Sequence, residues 1–185
     1  MSGIKVCFIS IIFTIIYLFS SVFFSNLFFN NNSNGSLLIL NKKVLGSKLI
    51  GQEFTSNNYF HSRPSQNNYK NNLSGNSNLS YYSKDLANLV LNNYQSTLKK
   101  NLNNKPDLNL ITESASGLDP HITYNGALSQ ADRISKSSST SKELLIMIIN
   151  EKSKPLIAGL FGEKIVNVLE LNLELNKIYA QTPRP

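Results

Sequence analysis

Residues 6–29 form an unbroken apolar run in which Ile, Phe, Leu and Val dominate and no charge intervenes. Its polar members are Ser10, Thr14, Ser20, Ser21, Ser25 and Asn26. As a helix, 24 residues span roughly 36 Å, enough to cross a hydrocarbon core of about 30 Å with some tilt. Only a helix satisfies every backbone group within lipid, and serine and threonine bond back to its carbonyls. A cleaved secretory signal would have an apolar core of about 7–15 residues ending at a small-x-small site. Here Phe and Leu continue beyond Ser25, so the run reads as a retained anchor.

The pattern after the anchor is mixed. Residues 30–36 read as a linker, and the segments 37–40 and 44–49, bracketing Asn41, Lys42 and Lys43, predict a short hairpin. Residues 51–83 hold few apolar side chains and many turn-formers, which predicts an ordered or functional loop. Ser83 is placed to cap a helix that carries Leu86, Leu89, Val90 and Leu98 on one side, with Asp85 near its start and Lys99 and Lys100 near its end. Pro106 stops it. Residues 107–112 predict a strand leading into the turn Gly117-Leu118-Asp119-Pro120. Thr123 is expected to cap a helix bearing Ala127, Leu128, Ala131 and Ile134. A serine-rich break at 135–141 precedes another helix through Leu144, Leu145, Ile148 and Ile149. Residues 169–176 alternate leucine with polar residues and predict a half-buried strand. Helices and strands without a βαβ rhythm give an α+β class, with residues 1–33 as tail, anchor and start of linker and 34–185 as a soluble domain.

The single cysteine, Cys7, lies in the anchor, so the domain has no disulfide and stands on its core. Only Lys5 precedes the apolar run, which leaves 17 basic and 11 acidic residues after it. These lysines are scattered, three arginines are present, and no aromatic-basic motif accompanies them, so the charge reads as a solvated surface and nucleic acid is not expected. The 26 asparagines include Asn30–Asn32 and Asn71-Asn72, a bias that AT-rich codons explain without a prion-like segment. Lys42, Lys43 and Lys48 would hold the domain in the cytoplasm by the positive-inside rule, but long domains translocate largely regardless of charge. Residue counting leaves the side open.

Catalytic patterns are weak. Ser116, Asp119 and His121 carry the residue types of a triad but sit within six residues on one turn, whereas such groups normally converge from separate segments. His61, His121 and Asp119 are too few for a metal site, and no HxxxH or cysteine pair is present. The stretch 159–162 lacks the lysine and spacing of a phosphate loop. More particular are the strings NGSL at 34–37, GSKLIGQEF at 46–54, YFHSRPS at 59–65, SGNSNL at 74–79, SASGLDPHI at 114–122, FGE at 161–163 and VNVLELN at 166–172.

In order and spacing these strings resemble the KdpC family, the C subunits of the Kdp potassium-transporting ATPases, from about residue 34 to 172. The chain departs from the family's usual SGGSNLGPSNP at 74–84, where a glycine and a Gly-Pro turn are lost. The resemblance implies an accessory subunit, not an enzyme, in a plasma membrane. Its partners would be a potassium-conducting subunit and a P-type ATPase subunit, and its domain would lie outside the cytoplasm. ATP and potassium would be engaged through the complex, with no cofactor or metal held directly. It also implies a catalytic-chaperone role that raises the pump's ATP affinity, although an external domain cannot touch cytosolic ATP, so such an effect must travel through the membrane subunits. The residues singled out for an interface or structural role are Gln52, Phe54, Phe60, His61, Arg63 and Pro64 in the long loop and Asn78 further along it. Asp119, Pro120 and His121 in the turn, Gln130 and Arg133 on the helix after Thr123, and Asn167 complete the set. An anchored hydrolase or binding module is the alternative; the hydrolase predicts a pocket joining His61 and His121 around a perturbed carboxylate.

Overall fold

The apolar run folds as one continuous helix, α1 (Gly3–Phe28), the one helix among the described residues long and apolar enough to cross a membrane. Its polar side chains turn inward on the helix: Thr14 Oγ1 donates to the Ser10 carbonyl at 2.8 Å and Ser21 Oγ to that of Tyr17 at 2.7 Å. The computed structural model describes residues 3–40, 42–102, 104–157 and 161–181. It separates into two compact units that meet between Ser47 and Lys48.

The first unit continues from α1 through a single helical turn, α2 (Asn30–Ser33), where a plain linker was expected, into the antiparallel hairpin β1 (Leu37–Leu40) and β2 (Lys43–Ser47). Ile39 pairs with Val44 and Leu40 with Lys43, and Lys42 takes a positive φ of 63°; the second strand begins at Lys43, one residue earlier than the sequence predicts, and ends at Ser47 rather than Leu49.

The second unit mixes helices with a three-stranded antiparallel sheet, the α+β arrangement expected. Residues 51–83 contain no helix or strand and lead to α3 (Lys84–Lys100), capped by Ser83 Oγ, which accepts from Asp85 N. The sheet has the order β3 (His121–Thr123), β5 (Phe161–Asn167), β4 (Lys154–Ile157). Ile122 pairs with Val166, and both are buried. Pro155 sits in β4, an edge strand, the position within a sheet to which proline is largely confined. Against the sheet pack α4 (Tyr124–Ser138), capped by Thr123 Oγ1, α5 (Lys142–Lys152) and α6 (Val168–Gln181). Their core comprises Ala127, Ala131, Ile134, Leu145, Ile149, Leu171 and Leu175, with Phe60 inserted from the long loop.

Two expected strands are absent. Residues 107–112 form a 3-10 turn, Leu108–Leu110, because Asp107 Oδ1 accepts from Asn109 N and Thr112 Oγ1 donates to the Leu108 carbonyl, local bonds that compete with a ladder. Residues 169–176 lie in α6. From Val168 onward the helix buries Val168, Leu169, Leu171, Asn172 and Leu175, of which 168, 171, 172 and 175 recur at helical spacing, and leucine and glutamate are strong helix formers. The alternation misled because Asn172, a polar residue, occupies the buried helical face. The serine-rich break is also shorter than expected. The helix α4 runs on to Ser138, whose Oγ donates to the Ile134 carbonyl at 2.7 Å, and ends where Ser139 adopts a left-handed φ of 55°. The three strands of the sheet were not anticipated.

Candidate functional site

Residues 57–61 are held in the second unit by side chains from two helices, α4 and α6. The amide of Gln130 on α4 brackets the backbone of His61: its Oε1 accepts from His61 N at 2.8 Å and its Nε2 donates to the His61 carbonyl at 3.1 Å. Asn172 on α6 does the same for Phe60, accepting from its N at 2.8 Å and donating to its carbonyl at 2.9 Å. Each amide thus supplies one rung of a β-ladder to a segment that has no neighbouring strand, which allows Phe60 to enter the core without stranding its own polar groups.

Arg133, 3% exposed, completes the clamp. Its Nη1 donates to the Asn57 carbonyl at 2.6 Å, Nη2 to the Tyr59 carbonyl at 3.0 Å and to Gln130 Oε1 at 2.8 Å, and Nε to Asn101 Oδ1 at 3.1 Å. None of these acceptors is a carboxylate. Burial lowers the guanidinium to about 10, which still leaves it charged at neutral pH. Arg133 therefore spends a full positive charge on joining α4, the C-terminal cap of α3 and the long loop, through the planar fork that lysine lacks.

A second cluster joins the long loop to the 114–120 turn. Arg63 Nη1 meets Asp119 Oδ2 at 3.2 Å and Nη2 donates to the Glu113 carbonyl at 3.0 Å, while its buried Nε has no hydrogen-bond partner among the described residues. Asp119 Oδ1 accepts from His121 N at 3.0 Å, closing the turn across Pro120, and lies 3.5 Å from His121 Nδ1. Burial pushes the Asp119 carboxyl up, but the bonds from the His121 ring and backbone, with the charge of Arg63, outweigh it and leave it below the usual carboxylate range. Ser116 Oγ accepts from Leu118 N and lies 3.3 Å from Ser114 Oγ, so this hydroxyl is engaged in shaping the turn. The two loops also touch through backbone. Gly51 N donates to the Leu118 carbonyl at 2.7 Å, and a Cβ at Gly51 would stand 2.7 Å from the Asp119 oxygen, so the approach requires glycine.

Between the long loop and α3 lies a cleft of about 230 Å³, bordered by Glu53, Phe54, His61, Pro64, Thr97 and Lys100. Burial and then the positive charge of Arg133 press His61 down to about 4, so its ring is neutral at physiological pH and Nε2 donates to the Ser56 carbonyl at 3.0 Å. His61 borders this cleft and His121 does not, lying instead against Asp119 in the other cluster, so this cleft is not the pocket joining the two histidines that a hydrolase predicts. Among the described residues no group of three metal-ligating side chains is present.

The other sequence-predicted residues serve local structure. The carbonyl of Gln52 accepts from Ser62 Oγ at 3.4 Å, and Phe54 tilts against Tyr59 with 6.0 Å between ring centroids. Asn78 takes a positive φ of 51°. Pro120 is buried, its carbonyl accepting from Val168 N at 2.9 Å, and Asn167 caps α6 by accepting from Glu170 N at 3.1 Å while donating to the Lys48 carbonyl at 2.8 Å. The stretch 159–162 begins outside the described residues, and Gly162 falls in β5. Sequence reasoning missed Asn101 and Asn172 as members of the clamp. A helical period on 168–179 is the signal that would have placed Asn172 inward.

Comparison with known proteins covers nearly all of these elements. A family model described as KdpC, the c chain of K+-transporting ATPase, matches residues 2–177. The potassium-transporting ATPase KdpC subunit of Bacillus cereus (strain Q1) is 43% identical over 152 residues, which cover 80% of this chain and 79% of that protein. That of Bacillus mycoides (strain KBAB4) is likewise 43% identical over the same shares, and that of Bacillus anthracis (strain A0248) is 42% identical.

Proposed function

Because the chain belongs to the KdpC family of potassium-transporting ATPase subunits, we propose that it is the accessory, non-catalytic member of an ATP-driven potassium importer. In this reading α1 anchors it in the plasma membrane, the second unit lies outside the cytoplasm, and the chain assembles with the potassium-conducting and ATP-hydrolysing subunits. Both ATP and potassium are then handled by those subunits. A chaperone effect on ATP affinity is a coupling transmitted through them, with no nucleotide bound by this chain.

The observation that carries the non-catalytic reading is where the polar side chains spend their bonds. Arg133, Gln130, Asn172 and Asp119 are the groups a reaction centre would draw on, and each is engaged in fixing backbone. His61 in the cleft is pressed down to about 4 by burial and the charge of Arg133, which makes its neutral ring a weak general base at physiological pH. What results is a rigid scaffold of loops, suited to presenting a surface.

Topology is the sharpest test. Met147 on α5 is 64% exposed, so a Met147→Cys variant in a Cys7→Ser background offers one accessible thiol. A membrane-impermeant maleimide is expected to label it in intact cells or spheroplasts. Labelling only after lysis would reverse the proposed orientation. Co-purification in gentle detergent with the other two subunits tests the assembly itself.

A further inference from the structure

Within the first unit, the hairpin is fastened to the end of α1 by a run of hydrogen bonds. Phe29 N donates to the Ser25 carbonyl at 2.8 Å and Ser33 N to that of Phe29 at 2.9 Å, so α2 follows almost directly on the long helix. Ser36 N then donates to the Asn31 carbonyl at 2.8 Å, and Ser47 Oγ to that of Gly35 at 2.7 Å, which ties the open end of the hairpin back to α2. The single turn of α2 rises only about 6 Å. Little chain therefore separates the hairpin from the end of a helix long and apolar enough to cross a membrane.

The hairpin forms a two-stranded sheet that no third strand joins among the described residues. Such a ribbon is marginal in water by itself and needs a surface to cover one face. Yet Ile39 and Val44, paired directly across the strands, are 63% and 59% exposed, and Leu37 is exposed two residues before Ile39. Lys42 at the turn and Lys43 beside it are exposed as well. Residues 1–47 contain no aspartate or glutamate, so the compact unit that carries these lysines offers them no side-chain carboxylate. Apolar side chains along a ribbon with bare ammonium groups at its tip match the layer where acyl chains meet lipid phosphates.

We propose that the hairpin β1–β2 lies against the anionic lipid surface at the C-terminal end of α1, with Leu37, Ile39 and Val44 at the acyl boundary and Lys42 and Lys43 on lipid phosphates. The proposal rests on the reading of α1 as a membrane anchor. Place and charge together favour lipid over a protein partner. The hydrogen-bonded junction through α2 keeps the hairpin beside the point at which α1 leaves the bilayer, so the lipid surface is within reach before any other chain is bound. Basic residues next to a membrane span are drawn to anionic headgroups, and the absence of acidic residues from this unit leaves that attraction unopposed.

The test uses the full chain in vesicles of phosphatidylglycerol and phosphatidylcholine. The sequence has no tryptophan, so Val44→Trp and Phe13→Trp each give a lone fluorophore, the first in the hairpin and the second within α1. Phosphatidylcholine brominated near the head of its acyl chains should quench about half of the Val44→Trp emission, and lipid brominated near the chain ends far less, as for side chains that reach about 5–10 Å into the headgroup–acyl boundary. Adding Lys42→Glu/Lys43→Glu to that chain, or omitting phosphatidylglycerol, should cut the quenching about twofold or more. Deep quenching of Phe13→Trp while Val44→Trp emits like aqueous indole overturns the hairpin contact alone. No quenching of Phe13→Trp overturns the anchor reading and the contact with it. Quenching of Val44→Trp that ignores both charge changes overturns the assignment to anionic lipid. A blue shift that appears only after the partner subunits are added assigns the hairpin to protein and overturns the proposal.

Discussion

At the residue scale, the second unit shows how charge and burial are reconciled in fixed loops. Asp119 is the carboxylate whose loss is easiest to read. An Asp119→Asn change keeps an acceptor for His121 N but removes the charge facing Arg63, a guanidinium that already has one buried nitrogen without a partner among the described residues. Denaturant unfolding should show a loss of about 1.5–3 kcal/mol, the range for a charge-assisted bond. Unchanged stability together with abolished transport would instead give this carboxylate a direct functional role. His61 makes a separate prediction about pH. Its folded value of about 4 lies below its ordinary 6.5, so as pH falls the unfolded chain takes up this proton first. Stability should be insensitive to this group above about 6.5, fall progressively between 6.5 and 4, and lose nothing further to it below that window. A His61→Asn variant should flatten that part of the pH profile, which thermal melts in a buffer series will read.

At the element scale, α6 decides between two periods written over the same residues. A strand over 169–176 would put Leu169, Leu171, Leu173 and Leu175 on one face with similar mutational costs. In the helix Leu171 is fully buried whereas Leu173 is only half covered. Leu171→Ala should therefore cost about 2–5 kcal/mol, as large-to-small changes in a packed core do, and Leu173→Ala considerably less. Equal costs would contradict the helical assignment. The same helix carries the Asn172 amide, so the period that buries Leu171 also sets the clamp on Phe60.

On the scale of the whole molecule, one helix among the described residues long and apolar enough to cross a membrane and a mixed α+β unit are joined in a chain that belongs to a transport ATPase family. If the subunit acts by presenting a surface, the full chain in detergent, freed of its partners, should bind ATP no tighter than roughly 1 mM, as nonspecific attraction of a polyanion to a basic protein would allow. Calorimetry at two salt concentrations will separate that attraction from a built site, because screening weakens it. A low-micromolar constant that survives salt and disappears with Lys100→Ala would place a nucleotide in the cleft beside α3 and overturn this reading.

Several features were decided by local chemistry and were legible in the chain alone. The apolar run needs nothing beyond its own length and composition to form a helix long enough to cross a membrane. The caps at Ser83 and Thr123 act within three residues, and the hairpin joins two strands that are adjacent in sequence. The loop strings also pointed to the family, which the KdpC family model over residues 2–177 bears out. Tertiary structure alone decided the rest. The strands β3, β4 and β5 are short and pair across up to 46 positions of sequence, as between His121 and Asn167, so no local pattern announces them. Gln130 and Arg133 were singled out by sequence, but that they grip the backbone at 57–61, some 70 residues away, depends on packing α4 against the long loop. Asn172 was hidden because a buried polar residue breaks the apolar period by which a buried helical face is recognised, and only the backbone groups of Phe60, brought to it by the fold, make that burial favourable.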